Sequence, residues 1–357
     1  MAAIDFLDAV YGSVIGGAIG DALGAPVEMW YYTEIRERYG RVCEFLPSAI
    51  GNAPDGPGGV TDDTTLAHYI SLAIIRKGGR ITPDDLAAVW LEKGHNLRFW
   101  INEQVTLGKL RAGMNPWDSG KGSIPAGCAT MAVAPIGIIN AGNPAQAYQD
   151  AFNIAFVNQD NADRDAAATL AAAVATALTP RATVDDVLHT MNEHASYIVR
   201  RALELTMDLA CASDCVDTFA ARFYDKMLDW TWPQPQWRKE HYMSGSSLEI
   251  VPVTAAILFL CHGDVNQCLI EGASFGRDCD TIARAVGCIA GAMQGASAIR
   301  PDWIAACEKA NEPLFEELEG DRRATFYTIA QRLVDALRSE KAAAQARVAQ
   351  LSQLLGD

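Results

Sequence analysis

Glycine recurs at every fourth position in two stretches of this sequence: Gly12, Gly16, Gly20 and Gly24 near the start, and Gly287, Gly291 and Gly295 near the end. In an α-helix of about 3.6 residues per turn, each set forms a stripe along one face. A glycine inside a helix costs about 1 kcal/mol relative to alanine, so a repeated stripe is expected where a neighbouring backbone must come close. Both segments therefore read as central, tightly packed helices. A membrane-spanning Gly-x-x-x-Gly helix is the competing reading and fits poorly, because Asp21 interrupts a run already marginal at roughly 20 residues.

Most of the remaining chain carries the helical period as well, as in Arg164 to Leu178, Ala195 to Ala212 and Pro252 to Cys261, while alternating strand patterns are nearly absent. The expected fold is all-α. With 357 residues the chain can bury a core as one large domain or two ordinary ones, and no break in composition appears before residue 338. Residues 1–337 thus read as one domain. Residues 338–357 read as a polar, Ala-rich helical extension with Leu351, Leu354 and Leu355 near its end, an appendage or a partner-contacting helix. Loops are marked by Gly51 to Gly59, by Gly113 to Pro125, and by a segment carrying Trp230, Trp232 and Trp237. The tryptophans are either an aromatic lid that stacks on a ligand or ordinary surface packing.

The formal charge of −15, with no cluster of Lys and Arg, excludes a nucleic-acid-binding surface, which must neutralise phosphates. The first eight residues carry no positive charge and do not read as a secretory signal, so a cytoplasmic protein is expected. Nine cysteines are scattered without a Cys-x-x-Cys pair, which argues against a zinc or disulfide framework. His68 follows an acidic cluster by five residues and is expected in the core or behind the site rather than as a ligand.

Two acidic clusters, Thr61-Asp62-Asp63-Thr64 and Asp278-Cys279-Asp280-Thr281, each precede an apolar, helix-like run. Taken singly, each has an ordinary explanation as a helix cap, with carboxylates in the first turn complementing the dipole. Taken together, they offer the carboxylate and hydroxyl oxygens that hard divalent cations such as Mg²⁺ or Mn²⁺ require. Asp278 and Asp280 would point roughly 200° apart inside a regular helix, so they can converge only at a loop or a helix start, and the apolar run from Ile282 follows at once. A third element is Gly20-Asp21-Ala22-Leu23-Gly24-Ala25-Pro26-Val27-Glu28. Asp21 lies in an apolar helix and needs a partner to offset its desolvation. Arg277, just before the second cluster, has two readings: a structural ion pair with the carboxylates, or a bidentate clamp on a substrate phosphate or carboxylate.

These elements, in this order, resemble the ADP-ribosylglycohydrolase family over roughly residues 9–305, together with Met131-Ala132-Val133-Ala134-Pro135-Ile136-Gly137 and Pro301-Asp302-Trp303. The resemblance implies a compact orthogonal helical bundle with two Mg²⁺ or Mn²⁺ ions at its centre. By position the implied ligands are Thr61, Asp62, Asp63, Asp278, Asp280 and Thr281. It also implies hydrolysis at the anomeric carbon of an ADP-ribosyl group, with Glu28 as acid/base or water-orienting residue and Asp62 or Asp280 assisting. The partner is then a small ribosyl or ADP-ribosyl compound or an ADP-ribosylated protein, with no nucleic acid and no membrane; the oligomeric state is not legible. Gly127, Cys128 and Arg277 fall where substrate binding is implied. Here the chain departs from the family: Ala126-Gly127-Cys128 stands in place of Gly-Asn-Gly, Ala132 in place of Arg, Val157-Asn158-Gln159-Asp160 in place of a Thr-His or Ser-His, and Arg277 in place of Gly. The metal and ribose half of the pattern is intact, and the diphosphate and adenosine half is not. A hydrolase of a smaller N-ribosyl or nucleoside-like metabolite is therefore a second reading, and a binding protein of the same fold a third.

Overall fold

The computed structural model of the protein describes residues 4–47, 56–94, 99–226, 246–321 and 323–355. Among these residues the regular elements are helices: α1 (Phe6–Gly24), α2 (Tyr32–Tyr39), α3 (Asp62–Lys77), α4 (Pro83–Lys93), α5 (Ile101–Arg111), α6 (Ala134–Ile139), α7 (Pro144–Ile154), α8 (Asn161–Ala177), α9 (Val184–His194), α10 (Tyr197–Cys211), α11 (Val216–Lys226), α12 (Ser247–Leu260), α13 (Val265–Ala273), α14 (Cys279–Gln294), α15 (Pro301–Ala310), α16 (Glu312–Glu319) and α17 (Phe326–Leu355). An isolated bridge joins Tyr31 to Gly276. The all-α expectation holds. Residues 51–55 of the Gly51 to Gly59 loop and the segment with Trp230, Trp232 and Trp237 lie outside the described residues.

The two glycine stripes meet each other. A Cβ placed on Gly12 would lie 2.2 Å from the carbonyl oxygen of Gly291, on Gly16 2.6 Å from that of Gly287, and on Gly20 2.3 Å from that of Ala283. On Gly24 it would lie 2.4 Å from the Cα of Asp280. The partner numbers fall as the α1 numbers rise, so α1 and α14 run antiparallel with their backbones in contact. Gly295 differs from the other members of its stripe, because it caps α14 with φ 81° and ends the helix. The stretch Phe6–Val27 is long and apolar enough to cross a membrane by length and composition, but 72% of its most apolar 18-residue window is buried inside the protein. It is the central core helix.

Around this pair α8, α12 and α13 also pack on α14, and every residue of α14 from Cys279 to Ala292 is buried. The helix expected from Pro252 begins five residues earlier, where Ser246 caps it by accepting from the Leu248 amide. At the other end of the chain, α17 is one continuous helix across residue 338. Its apolar spacing buries Phe326, Ile329, Ala330, Leu333, Val334 and Ala336, then runs out, and no described residue beyond Leu337 is buried. The change at 338 is thus one of burial within an unbroken helix.

Gly16→Ala is expected to destabilise the protein by at least about 1–3 kcal/mol, because its Cβ would meet backbone that cannot rotate away. Gly108 lies within α5 with nothing within 4 Å of its Cβ position. Gly108→Ala should stabilise by up to about 1 kcal/mol through helix propensity alone. Denaturant unfolding of both variants checks the contrast, and a Gly16→Ala protein as stable as the parent would refute the close-contact reading.

Candidate metal centre

Each acidic cluster occupies the N-terminus of a helix. Thr61 is the N-cap of α3, its hydroxyl accepting from the Asp63 amide at 3.2 Å, which leaves Asp62 and Asp63 in the first turn. Asp278 is the N-cap of α14, and Asp280 and Thr281 follow in its first turn. Free amides and the dipole favour negative charge at both places. The Thr281 hydroxyl joins the clusters: its Oγ1 lies 2.9 Å from Asp63 Oδ1 and 3.0 Å from Asp278 Oδ1, its one proton shared between them.

Glu28 comes from the far end of α1. The α1–α14 contact sets Gly24 against Asp280, and two backbone hydrogen bonds beside the isolated Tyr31–Gly276 bridge then hold the next residues. The Met29 amide donates to the Arg277 carbonyl and the Arg277 amide to the Trp30 carbonyl, both at 2.7 Å. Met29, Gly276 and Arg277 all have positive φ, the geometry that lets the two segments lie this close. As a result one carboxylate oxygen each from Glu28, Asp278 and Asp280 lies within 4.8 Å of the other two. Asp278 and Asp280 are buried and Glu28 is half-buried.

Asp21 stands behind the cluster. Its carboxylate accepts from the Thr61 and Thr64 amides, each at 3.1 Å, and from the Thr64 hydroxyl, pinning the first turn of α3 to α1. Arg284, one turn below Asp280 on α14, donates to Thr64 Oγ1 at 2.8 Å and to the Met131 carbonyl at 2.6 Å. The partner expected for Asp21 is therefore a set of amides and hydroxyls backed by a buried guanidinium. His68 faces Glu319 at 3.0 Å and the ring of Phe315, away from the cluster, in the core position expected for it.

Arg277 pairs with a carboxylate that the sequence reading had not singled out. Its Nε and one terminal nitrogen donate to the two oxygens of Glu249 at 2.5 and 2.6 Å, with both side chains buried. Burial pushes the guanidinium down to about 10, which leaves it cationic at neutral pH. Burial raises Glu249 as well, but the bidentate geometry is that of a carboxylate on a guanidinium, and we read the pair as ionic. Ser246 and Glu249 have the Ser-x-x-Glu spacing of a helix start, the one signal from which Glu249 was legible. Arg277→Ala should cost about 3–5 kcal/mol by stranding a buried carboxylate, whereas the double replacement Arg277→Met with Glu249→Met should recover most of it. Thermal unfolding of the set checks this, and a stable single variant would count against the ion pair.

Gly127 and Cys128 lie buried in the loop ahead of a 3-10 turn at Thr130–Ala132. Ser247 ties that loop to α12, its hydroxyl donating to the Ala126 carbonyl at 3.0 Å and lying 3.2 Å from Thr130 Oγ1. Asn102 Nδ2 reaches the Cys128 sulfur at 3.7 Å. Beside it lies Glu103, a buried carboxylate that the sequence reading also missed. Ala132 and Asn158 line a small apolar cavity with Leu66 and Trp90.

The sequence and the helical fold have known counterparts. The ADP-ribosylglycohydrolase family matches residues 2–343. The chain belongs to that family. Among its relatives are the uncharacterised protein YegU of Escherichia coli K12, 23% identical over 85% of this chain and 92% of that protein, and an uncharacterised protein of Archaeoglobus fulgidus, 28% identical over 82% and 88%. The ADP-ribosyl-[dinitrogen reductase] glycohydrolase of Rhodospirillum rubrum is 25% identical over 83% of this chain and 89% of its own. A solved structure described as an ADP-ribosylglycohydrolase-related protein complex shares the fold with a TM-score of 0.65 at 20% identity, covering 92% of this chain and 97% of that one.

The donor set of this family member fits a hard divalent cation. Its oxygens are buried or half-buried and mutually repulsive, and Asp280 Oδ1 has no hydrogen-bond partner among the described residues. Burial, then the charges of Asp278, Asp62 and Asp21, pushes Glu28 up to about 8. Burial, then Glu103 and Asp21, pushes Asp62 up to about 7. Asp63, Asp278 and Asp280 are raised too, burial first in each case.

In metal-free protein these carboxyls hold protons more tightly folded than unfolded, so their contribution to stability is complete below their ordinary values of 3.8 and 4.5. It is lost as pH rises through about 7 for Asp62 and about 8 for Glu28. The melting temperature in chelator is thus expected to fall between pH 5 and about 8, and saturating Mn²⁺ should abolish the fall by binding the ionised folded state. A metal-free melting temperature that climbs across this window would contradict the carboxylate cluster.

Proposed function

We propose that the protein is a divalent-metal-dependent glycohydrolase that cleaves the bond at the anomeric carbon of a ribosyl group, with an ADP-ribosylated protein or ADP-ribosyl compound as the substrate favoured by family membership. The observation that carries this reading is the convergence of Glu28, Asp278 and Asp280 within 4.8 Å, joined through Thr281 to Asp63. Thr61, Asp62, Asp63, Asp278, Asp280 and Thr281 are the residues that would hold two Mg²⁺ or Mn²⁺ ions. Bound there, the cations supply Lewis acidity and positive charge.

The chain's own residues set the rest. Cleavage at an anomeric carbon develops oxocarbenium character and needs one group to handle the proton of water and one to assist the leaving group. Glu28 is suited to the proton because it is half-buried at the edge of the cluster and its carboxyl is pushed up to about 8. Thr281 and Thr61 orient Asp63, and Asp21 fixes the α3 start against which Asp62 is set. A cytoplasmic setting fits the acidic, core-buried character of the chain.

One observation favours the smaller N-ribosyl or nucleoside-like substrate. The two buried guanidiniums nearest the cluster are committed, Arg277 to Glu249 and Arg284 to Thr64 and the Met131 carbonyl, so neither is poised for a diphosphate.

Asp62→Ala and Asp280→Ala should each abolish calorimetric Mn²⁺ binding and hydrolysis while leaving the helical circular dichroism in place. With metal saturating, the affinities of ADP-ribose and ribose 5-phosphate then choose the substrate class. Near-equality selects the smaller metabolite, a large ADP-ribose preference selects the family default, and unchanged Mn²⁺ stoichiometry in both variants removes the metal centre from these clusters.

A further inference from the structure

The last hydrogen bond from α17 to the rest of the described chain is made at Glu340, whose carboxylate accepts from the Arg80 amide at 3.4 Å. From Lys341 to Leu355 the helix projects about 22 Å at 1.5 Å per residue. Every residue of this projection is exposed except Ser352, which is half-buried. A lone helix of this length is marginal in water. This one also carries Val348, Leu351, Leu354 and Leu355 at 63%, 38%, 72% and 73% exposure. Single exposed aliphatics are ordinary, but four within two turns of a projecting helix make an apolar face.

The spacing identifies the kind of surface that would cover it. Leu337, Lys341, Ala344, Val348, Leu351 and Leu355 follow one another at alternating intervals of four and three, the seam of a helix that packs lengthwise on another helix. The match to the ADP-ribosylglycohydrolase family ends at residue 343, so the apolar part of the seam lies outside the residues that carry the acidic clusters.

Charge selects the occupant and its direction. Lys341 and Arg347 are the only charged residues from Lys341 to Leu355, in a chain of net charge −15. A second copy of this chain offers the same seam and an anionic body that attracts a cationic helix. Parallel pairing would set Lys341 against Lys341 and Ala344 against Ala344, and would bring the two anionic bodies side by side. Antiparallel pairing instead opposes the small Ala344 to Leu355 and Val348 to Leu351. It leaves both Lys341 side chains beyond the overlap and holds the anionic bodies at opposite ends of a cationic helix pair.

We propose that the projecting half of α17 is a dimerisation surface, occupied by the same segment of a second copy running antiparallel over Ala344 to Leu355. The inference goes beyond the glycohydrolase reading and does not depend on it. An interface this short belongs to the small, transient class, with a Kd of about 10 µM expected.

The test is the mass of the full chain by size-exclusion chromatography with light scattering at about 100 µM, roughly ten-fold above that Kd. The parent should run at twice the mass of one chain. Val348→Asp combined with Leu351→Asp should run as a monomer with the parental melting temperature, because both side chains are exposed. A monomeric parent, or a dimer that survives the double substitution, would overturn the proposal. Should the aspartates unwind the helix, Val348→Ala with Leu351→Ala keeps helix propensity and decides alone: a dimer weakened by about ten-fold or more supports the proposal, and parental association refutes it. Oxidative cross-linking reads the direction, with the parent's exposed Cys211 and Cys215 setting the background. An equimolar mixture of Ala344→Cys and Leu355→Cys proteins should give a mixed cross-linked dimer, and Ala344→Cys alone none above the parent. Cross-linking of Ala344→Cys to itself, or no mixed product, counts against the antiparallel pair. A parent that is monomeric in solution and sediments with phosphatidylserine vesicles would assign the helix to a membrane surface instead.

Discussion

The contact between α1 and α14 is made backbone to backbone, and the rest of the site inherits its geometry. Glycine at positions 12, 16, 20 and 24 lets two helix axes approach until carbonyl oxygens occupy the places where Cβ atoms would be. Such an interface has one register, because sliding by a residue would drive a side chain into backbone. That register sets the exit of α1 against the start of α14. Glu28, four residues past Gly24, is thereby delivered to Asp278 and Asp280 from a point some 250 residues away in the chain.

What the register brings together is electrostatically unfavourable by itself. The carboxylates lie in a region where burial is the first cause of every raised pKa among them. Most neighbouring groups that might neutralise them are already engaged. Asp21 takes the Thr61 and Thr64 amides, Arg284 backs Asp21 and Thr64, and Arg277 answers Glu249. These interactions make the frame rigid without discharging the cluster. A rigid frame of unneutralised oxygens at helix starts is what a cation site requires, because the ligands are in place before the ion arrives.

Much of this was legible in the sequence because it is written in helical periods. The glycine stripes marked the central helices, and Asp278 and Asp280, two apart, could converge only at a loop or a helix start, and a helix start is where they are found. Asp21 announced a hydrogen-bonding partner by lying in an apolar run. Other features were illegible for physical reasons. Arg277 was read against the acidic cluster next to it, but its partner Glu249 sits on α12, and no local pattern reports a pairing across 28 residues of chain. Glu103 falls in the first turn of α5, and its burial without a hydrogen-bond partner among the described residues is a product of tertiary packing that no local pattern reports. Glu28 had the sequence context of a surface residue, and only the family resemblance pointed to it. Its placement depends on Met29, Gly276 and Arg277 adopting positive φ, which residue type foretells only for the glycine.

The charge on the cluster bears on the proposed cation pair. Glu28, Asp62, Asp63, Asp278 and Asp280 contribute five negative charges when ionised. The N-termini of α3 and α14 return about half a charge each, roughly one in total. With both nearby guanidiniums committed elsewhere, about four negative charges remain, the amount two divalent cations would neutralise. One cation would leave the cluster about two charges short, and protonation would have to supply the difference, as the raised values of Glu28 and Asp62 indicate it does in metal-free protein. Protons and cations therefore compete for the same oxygens. A centre built this way would bind metal more tightly as pH rises.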